Sequence, residues 1–304
     1  MQRRPQRELT RAALSFCLAL LCLGPAAAAE PALRVDSVVT WEDPAPWFGG
    51  FSGAEVSPDG ARLTVVSDRG TLVEADLLRD GGRLSGLRVV RHLPLRRPNR
   101  EPFRNKKRDA ESLAMDSRGT LFVAFEHSHH VARLDPDSGI TKPLPRHPDF
   151  KKLPPNTGLE ALAVHPNGRL FALPEKTSPR SRHFPLYTFD GSGWKSTANL
   201  PARGPFLPVG ADFDGEGRLY LLERTVTPLG FRNRIRRFTQ DGEAWQESIL
   251  LTTPPGQYDN LEALSLWQDP EGQTRLLLMS DDNFFPLQRT EVIELVLAKP
   301  ALRD

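Results

Sequence analysis

Cysteine is nearly missing from this 304-residue chain: Cys17 and Cys22 are the only two. Everything after them is therefore without a disulfide framework, a zinc-finger spacing or a thiol nucleophile. Charge of one sign is also missing, with 40 Lys+Arg against 38 Asp+Glu, so the bulk balance gives no reason to expect a nucleic acid partner. No G-x-S-x-G occurs, since Gly50-Phe-Ser-Gly-Ala54 is not one, and there is no H-E-x-x-H or G-x-x-x-x-G-K-[ST]. The one long apolar run, residues 12–24, is too short to span a bilayer comfortably. What is abundant is turn chemistry: 28 Pro and 23 Gly suit many short strands joined by tight turns.

Arg3, Arg4, Arg7 and Arg11 precede that apolar run, and the small residues Ala26 to Ala29 follow it. This order predicts a signal peptide over residues 1–29 and one exported domain over 30–304, periplasmic or secreted, with no membrane span after cleavage. An uncleaved anchor is the alternative. Removing residues 1–29 takes away four Arg and one Glu, which brings the formal charge from +2 to −1. A cysteine-free exported chain must rest on packing or on bound metal.

One motif recurs five times, starting at residues 55, 111, 160, 209 and 262. Each copy has an apolar strand, a turn ending in glycine (Gly60, Gly119, Gly168, Gly217 or Gly272), and a second apolar strand that begins at a leucine. Those leucines are Leu63, Leu121, Leu170, Leu219 and Leu276. The turns suit a type I geometry closed by a glycine at positive φ, and strands apolar on both faces suit a doubly buried position. Further strand-like runs follow at 131–135, 186–189 and 234–238. Four strands in about 50 residues is the period of a propeller blade, longer than most solenoid repeats. The expected fold class is therefore all-β, a five-bladed β-propeller by motif count; a sixth blade would require a decayed motif. The last copy has a third strand at 290–297 and then ends. Residues 35–40 can supply its missing outer strand, which would close the ring and remove exposed sheet edges.

In a hairpin, the start of the first strand and the end of the second lie at one end. Glu111 with Glu126, and Glu160 with Glu175, occupy these two places. Glu55 with Asp68, and Glu262 with Asp281, repeat the arrangement with small length changes. The fourth copy has Val209 in the first place, Asp212 three residues inward, and Glu223 in the second. If these hairpins are innermost, about ten carboxylates meet at one mouth of the channel. The same end receives the longer segments 92–109, 144–159, 176–185, 224–233 and 282–289, and loops on one face of a rigid scaffold usually carry the binding site. Arg69, His127, Lys176 and Arg224 each follow a closing acid, and a basic run occupies 96–108. As a structural reading, that run is a solvated loop, and the acids cap blade ends by bonding backbone N–H groups and arginines.

Functionally, crowded carboxylates repel unless protons or a cation hold them together. Oxygen donors without cysteine favour a hard divalent cation, calcium before magnesium or manganese. The expected metal ligands are Glu111, Glu160, Glu262, Asp281 and Asp282, with Glu55, Asp68 and Asp212 completing the set. Glu126, Glu175 and Glu223 are second-line ligands or the base that activates water. Arg69, Lys176 and Arg224, with His127, would hold a small anionic substrate, phosphate above all. A metal beside them could polarise a phosphoryl oxygen. His127, His129 and His130 form a local cluster that could ligate metal, shuttle protons or face solvent.

Gly50-Phe-Ser-Gly-Ala-Glu55, Ser67-Asp68-Arg69-Gly70, Asp109-Ala-Glu111-Ser112, Gly158-Leu-Glu160-Ala-Leu162, Glu223-Arg224 and Asn260-Leu-Glu262-Ala-Leu264, in this order, resemble the phytase-like domain family. The likeness covers nearly all of residues 33–297. It implies an exported propeller with repeated acidic residues and a phosphoester-hydrolysing, esterase-like activity. The expected function is therefore a calcium-dependent phosphoesterase, acting as a monomer. Two alternatives remain. A propeller lactonase or sugar-acid hydrolase would hold one metal in the same mouth with an Asn such as Asn156, Asn260 or Asn283. A non-catalytic ligand-binding propeller would use the same face.

Overall fold

The computed structural model describes residues 32–155, 157–175 and 181–298. The expected signal peptide, Asn156 and Lys176 lie outside them. Among the described residues, no helix is long and apolar enough to cross a membrane.

Twenty strands form five four-stranded antiparallel sheets. The first blade is β2 (Phe51–Val56), β3 (Arg62–Ser67), β4 (Thr71–Asp80) and β5 (Arg83–Pro94). The second is β6 (Ala110–Met115), β7 (Leu121–Phe125), β8 (His130–Leu134) and β9 (Thr141–Pro143). The third is β10 (Ala161–Val164), β11 (Leu170–Leu173), β12 (His183–Phe189) and β13 (Trp194–Pro201). The fourth is β14 (Leu207–Phe213), β15 (Leu219–Thr227), β16 (Gly230–Asp241) and β17 (Ala244–Thr252). The fifth combines β18 (Asn260–Gln268), β19 (Thr274–Asp281) and β20 (Glu291–Leu297) with β1 (Leu33–Thr40), which pairs antiparallel to β20 from Leu33↔Leu297 to Thr40↔Glu291. The N-terminal strand thus closes the ring, as the missing fourth strand of the last repeat required.

Side-chain pattern decides the place of each strand. β7 and β11 are apolar throughout and buried throughout, because neighbouring blades cover both faces. β5 alternates and lies at the rim with one face in water. The innermost strands run β2, β6, β10, β14, β18 and back to β2, each packed beside the next. Gly53 shows how close they come: an added Cβ would lie 2.5 Å from the amide nitrogen of Leu113. The repeat turns close at positive φ on Gly60, Gly119, Gly168, Gly217 and Gly272, at one end of the channel. The connections between blades gather at the other end. One expected loop is not a loop: residues 224–233 mostly continue β15 and β16, as a long hairpin whose turn is at 228–229. The cross-strand pairing runs on to Thr227↔Gly230, so the backbone bonds that a loop would leave open are made within the hairpin.

Candidate metal centre

The register fixes two rings of side chains at the end away from the turns. Equivalent pairs near the turns of the five inner hairpins are Val56↔Leu63, Met115↔Leu121, Val164↔Leu170, Phe213↔Leu219 and Leu266↔Leu276. Four residues back from each pair stand Ser52, Glu111, Glu160, Val209 and Glu262. Five residues on from each leucine stand Asp68, Glu126, Glu175, Arg224 and Asp281. In four blades the opening residue is the extra one in a register shift: pairing jumps from Phe51 to Gly53, Ala110 to Ser112, Pro208 to Gly210 and Leu261 to Ala263. A bulge of this kind re-aims one side chain out of the ladder, and Ser52, Glu111 and Glu262 line the channel mouth as a result. Glu160 stands just ahead of the pair Ala161↔Leu173 and lines the mouth too.

These rings enclose a cavity of about 300 Å³. Four of the five opening residues and all five closing residues line it, together with Asp109 and Asn283. Among the described residues, the lining therefore holds eight carboxylates, and Arg224 is its one cationic side chain. Arg224 Nη1 donates to the Asn260 and Glu262 side-chain oxygens, and its Nη2 lies 3.6 Å from Glu175. Asn260 Nδ2 also donates to Glu262 at 2.8 Å. Asp281 accepts from the Asn283 amide at 2.7 Å. Asp68 Oδ1 is buried with no hydrogen-bond partner among the described residues. His127 Nδ1 lies 2.7 Å from Asp109 and 3.3 Å from Glu126. Ligand atoms of Asp109, Glu126 and His127 all lie within 4.8 Å of one another and could hold a metal ion.

The electrostatics follow from this crowding. Burial, then Glu160 and Asp109, hold the Glu111 carboxyl well above its ordinary range. Burial, then Glu175 and Glu262, do the same to Glu160, and burial with Glu262 does so to Asp281. Glu126 is pushed up to about 7 by burial and Asp109, and Asp68 to about 7 by the same two causes. Burial opposes the charge of Arg224, but Glu262, Glu175 and Glu160 outweigh it and raise its pKa. So many acids with one arginine, and a buried carboxylate oxygen without a donor, fit the donor chemistry of a divalent cation.

Of the residues expected from sequence, the cavity brings together Glu111, Glu160, Glu262, Asp281, Asp68, Glu126, Glu175 and Arg224, with His127 at its edge. Four acids lie elsewhere. Glu55 sits three residues deeper than Ser52, at the other end of the channel. There it accepts from the Met115 amide at 3.1 Å and from Ser265 Oγ at 3.1 Å. Asp212 is its equivalent in the fourth blade and accepts from the Leu266 amide at 2.7 Å. Both line a second, largely apolar cavity of about 390 Å³. Glu223 is one residue short of the closing position. A one-residue offset turns a strand side chain to the other face, and Glu223 is fully buried there between Arg234 (2.7 Å) and Arg236 (2.9 Å). Asp282 is one residue past that position and accepts from the Gly50 and Phe284 amides, each at 3.0 Å. Arg69 is exposed beside the mouth, with its guanidinium 3.1 Å from the centre of the Phe284 ring. Of the other histidines, His130 stacks on Phe125 and burial lowers its pKa to about 4. Asp109 was missed as a site residue because it precedes its strand and lies outside the two repeating positions.

Solved structures resemble the chain at low similarity. A pyrroloquinoline quinone-bound aldose sugar dehydrogenase from Streptomyces coelicolor is 14% identical, with 88% of this chain and 99% of that one covered and a TM-score of 0.47. A protein of unknown function from Dyadobacter fermentans is 14% identical over 88% and 100%, with a TM-score of 0.45. Virginiamycin B lyase from Staphylococcus aureus is 12% identical over 88% and 100%, with a TM-score of 0.42. Likenesses of this size carry no weight for function. No curated protein matches the chain. The phytase-like family, described as "esterase-like activity of phytase", matches residues 46–284. The chain belongs to this phytase-like family, and its acid-lined mouth is the candidate metal centre of a hydrolase-like propeller.

Proposed function

We propose that the mouth holds divalent cation, calcium first, and that the protein hydrolyses phosphoesters of small anionic substrates as an exported monomer. The observation that carries this reading is the single cavity in which eight carboxylates face one arginine. Glu111, Glu160, Glu262, Asp281 and Asp68 are the ligands, and Asp109, Glu126 and His127 offer a further position that admits a borderline cation such as manganese or zinc. The cation, when bound, supplies positive charge that offsets the carboxylates and polarises a phosphoryl oxygen.

The remaining roles belong to the chain. When no cation is held by Asp109, Glu126 and His127, Glu126 is the group that accepts a proton from water, with Glu175 as the neighbouring acid in the same ring. Arg224 orients the anion by releasing one of its present partners, Glu262 or Glu175. Arg69 approaches from the rim. Calorimetric titration with calcium, manganese and zinc, followed by a panel of phosphomonoesters and phosphodiesters with and without chelator, tests the reading. Cation binding with chelator-sensitive turnover is expected; absence of cation binding would remove the basis for the hydrolase. Turnover of lactones but of no phosphoester would transfer the site to a different reaction.

A further inference from the structure

We propose that the mouth-side face docks on an anionic lipid surface, with Leu229 and Leu287 entering the lipid and the basic segment 96–108 contacting the headgroup phosphates. This goes beyond the catalytic reading and does not depend on it.

Among the described residues, the three most exposed large apolar side chains are Leu287 (83%), Leu229 (77%) and Val226 (71%). All three lie on two connections at the mouth end, β15–β16 and β19–β20. The first is a projecting finger. β14 pairs with β15 only as far as Leu207↔Arg224, and β17 pairs with β16 only as far as Thr252↔Arg234. The hairpin continues three residues further to Thr227, about 10 Å at strand spacing, with no strand on either side. Isolated apolar side chains on a surface need no explanation, but a braced pair of apolar tips at one end does. The bracing comes from one segment between the two connections. The Gly256 amide donates to the Phe231 carbonyl under the finger. Asp259 accepts from Gln288 Nε2 and from the Arg289 amide, each at 2.9 Å, under the other tip.

Charge supplies the complement. On the same end, Arg100, Arg104, Lys107 and Arg108 are exposed and make no ion pair among the described residues. Other arginines are held by acids: Arg79, Arg91, Arg236 and Arg275 on the strands are each paired with one. The two regions are joined across the first blade, because Phe284 stacks under Arg69 and Gly70 abuts Arg108. Apolar tips on one side of a mouth and unpaired cations on the other are the two signals that together give stable attachment to an anionic bilayer.

The test is sedimentation of the full chain with vesicles of phosphatidylcholine alone and of phosphatidylcholine mixed with phosphatidylglycerol. Binding to the mixed vesicles is expected, weakened by added salt. Leu229→Ser/Leu287→Ser should reduce it about tenfold, and Arg100→Glu/Arg104→Glu should reduce it for mixed vesicles only. Because residues 12–24 are apolar and common to every variant, a position-specific reading is also needed. Fluorescence of Leu229→Trp, as a difference from the parent chain, should be quenched by brominated phosphatidylcholine in mixed vesicles. Absence of that quenching while the chain sediments overturns the proposal, and so does absence of sedimentation. A self-association seen by ultracentrifugation without lipid, and abolished by the double serine variant, would assign the tips to a second copy of the chain instead.

Discussion

Glu55 and Glu111 lie on neighbouring inner strands, and burial is the main force raising the pKa of both. Their partners differ. Glu55 sits near the turn end, where each inner strand must satisfy backbone N–H groups facing the next blade. Its carboxyl takes the Met115 amide, Ser112 takes that of Leu162, Asp212 that of Leu266, and Ser265 that of Val56. These side chains stitch the ring, because a buried N–H left open is costly. Glu111 faces Glu160, Asp109 and Glu262. Burial alone therefore does not mark an acid as a ligand. An acid given backbone donors by the next blade holds the fold, whereas an acid surrounded by acids needs positive charge from outside.

Substitution at each end should separate the two roles. The largest effect is expected at the mouth: Glu111→Gln/Glu160→Gln should weaken calcium binding about 100-fold or more, since even outer partners of metal ligands are worth 10–100-fold. Calorimetry reads this directly, and the same variant in chelator should melt no lower than the parent, because repulsion has been relieved. An unchanged affinity would place the cation elsewhere. Next comes Arg224→Gln. Loss of a charged hydrogen-bond partner should lower phosphoester kcat/KM by about ten- to a hundredfold while calcium affinity rises, because a competing positive charge has gone. A fall in both would make Arg224 a support for the ligands and not a substrate contact. At the turn end, Glu55→Ala should cost about 1–3 kcal/mol in denaturant unfolding by leaving the Met115 amide open, with calcium affinity unchanged. If Glu55→Ala instead abolished cation binding, the distinction between the two ends would fail.

Most of the fold was legible because the repeat is a physical unit: apolar strand, glycine turn, apolar strand, too small to bury its own faces. Even the closing strand could be found, since the last repeat ended one strand short and residues 35–40 were the apolar segment to hand. The candidate site was legible only as far as counting was used. Five residues on from Leu63, Leu121, Leu170, Leu219 and Leu276 give Asp68, Glu126, Glu175, Arg224 and Asp281, and all five line the cavity. Matching by residue type selected Glu223 and Asp282, each one step away, and in a strand one step is the opposite face. The same habit selected Glu55, although the eight-residue distance to the turn glycine in the second, third and fourth copies points from Gly60 to Ser52. Asp109 could not be found by either route, because its place depends on how the 95–109 connection enters the second blade.

The smallest effect expected is a slope of stability against pH, and it has opposite consequences at the two ends when calcium is added. Asp68 is raised from 3.8 to about 7, Glu126 from 4.5 to about 7, and Asp212 from 3.8 to about 7, with burial the first cause in each. Between the unfolded and folded values, the folded chain keeps protons that the unfolded chain has released, so stability falls as pH rises. The contribution is full below about 4, declines up to about 7 and is level beyond that. Calcium competes with the protons on Asp68 and Glu126 but not with that on Asp212, which lies outside the mouth and whose oxygens already accept from the Leu266 and Phe213 amides. Melting temperatures measured in chelator should therefore decline across this window. Calcium should cancel the part due to the mouth and leave the part due to Asp212, so the two curves separate as pH rises. Glu126→Gln should make the chelator curve shallower. Curves that coincide at every pH would mean that the mouth acids do not exchange protons for cation, and that their crowding is relieved within the chain.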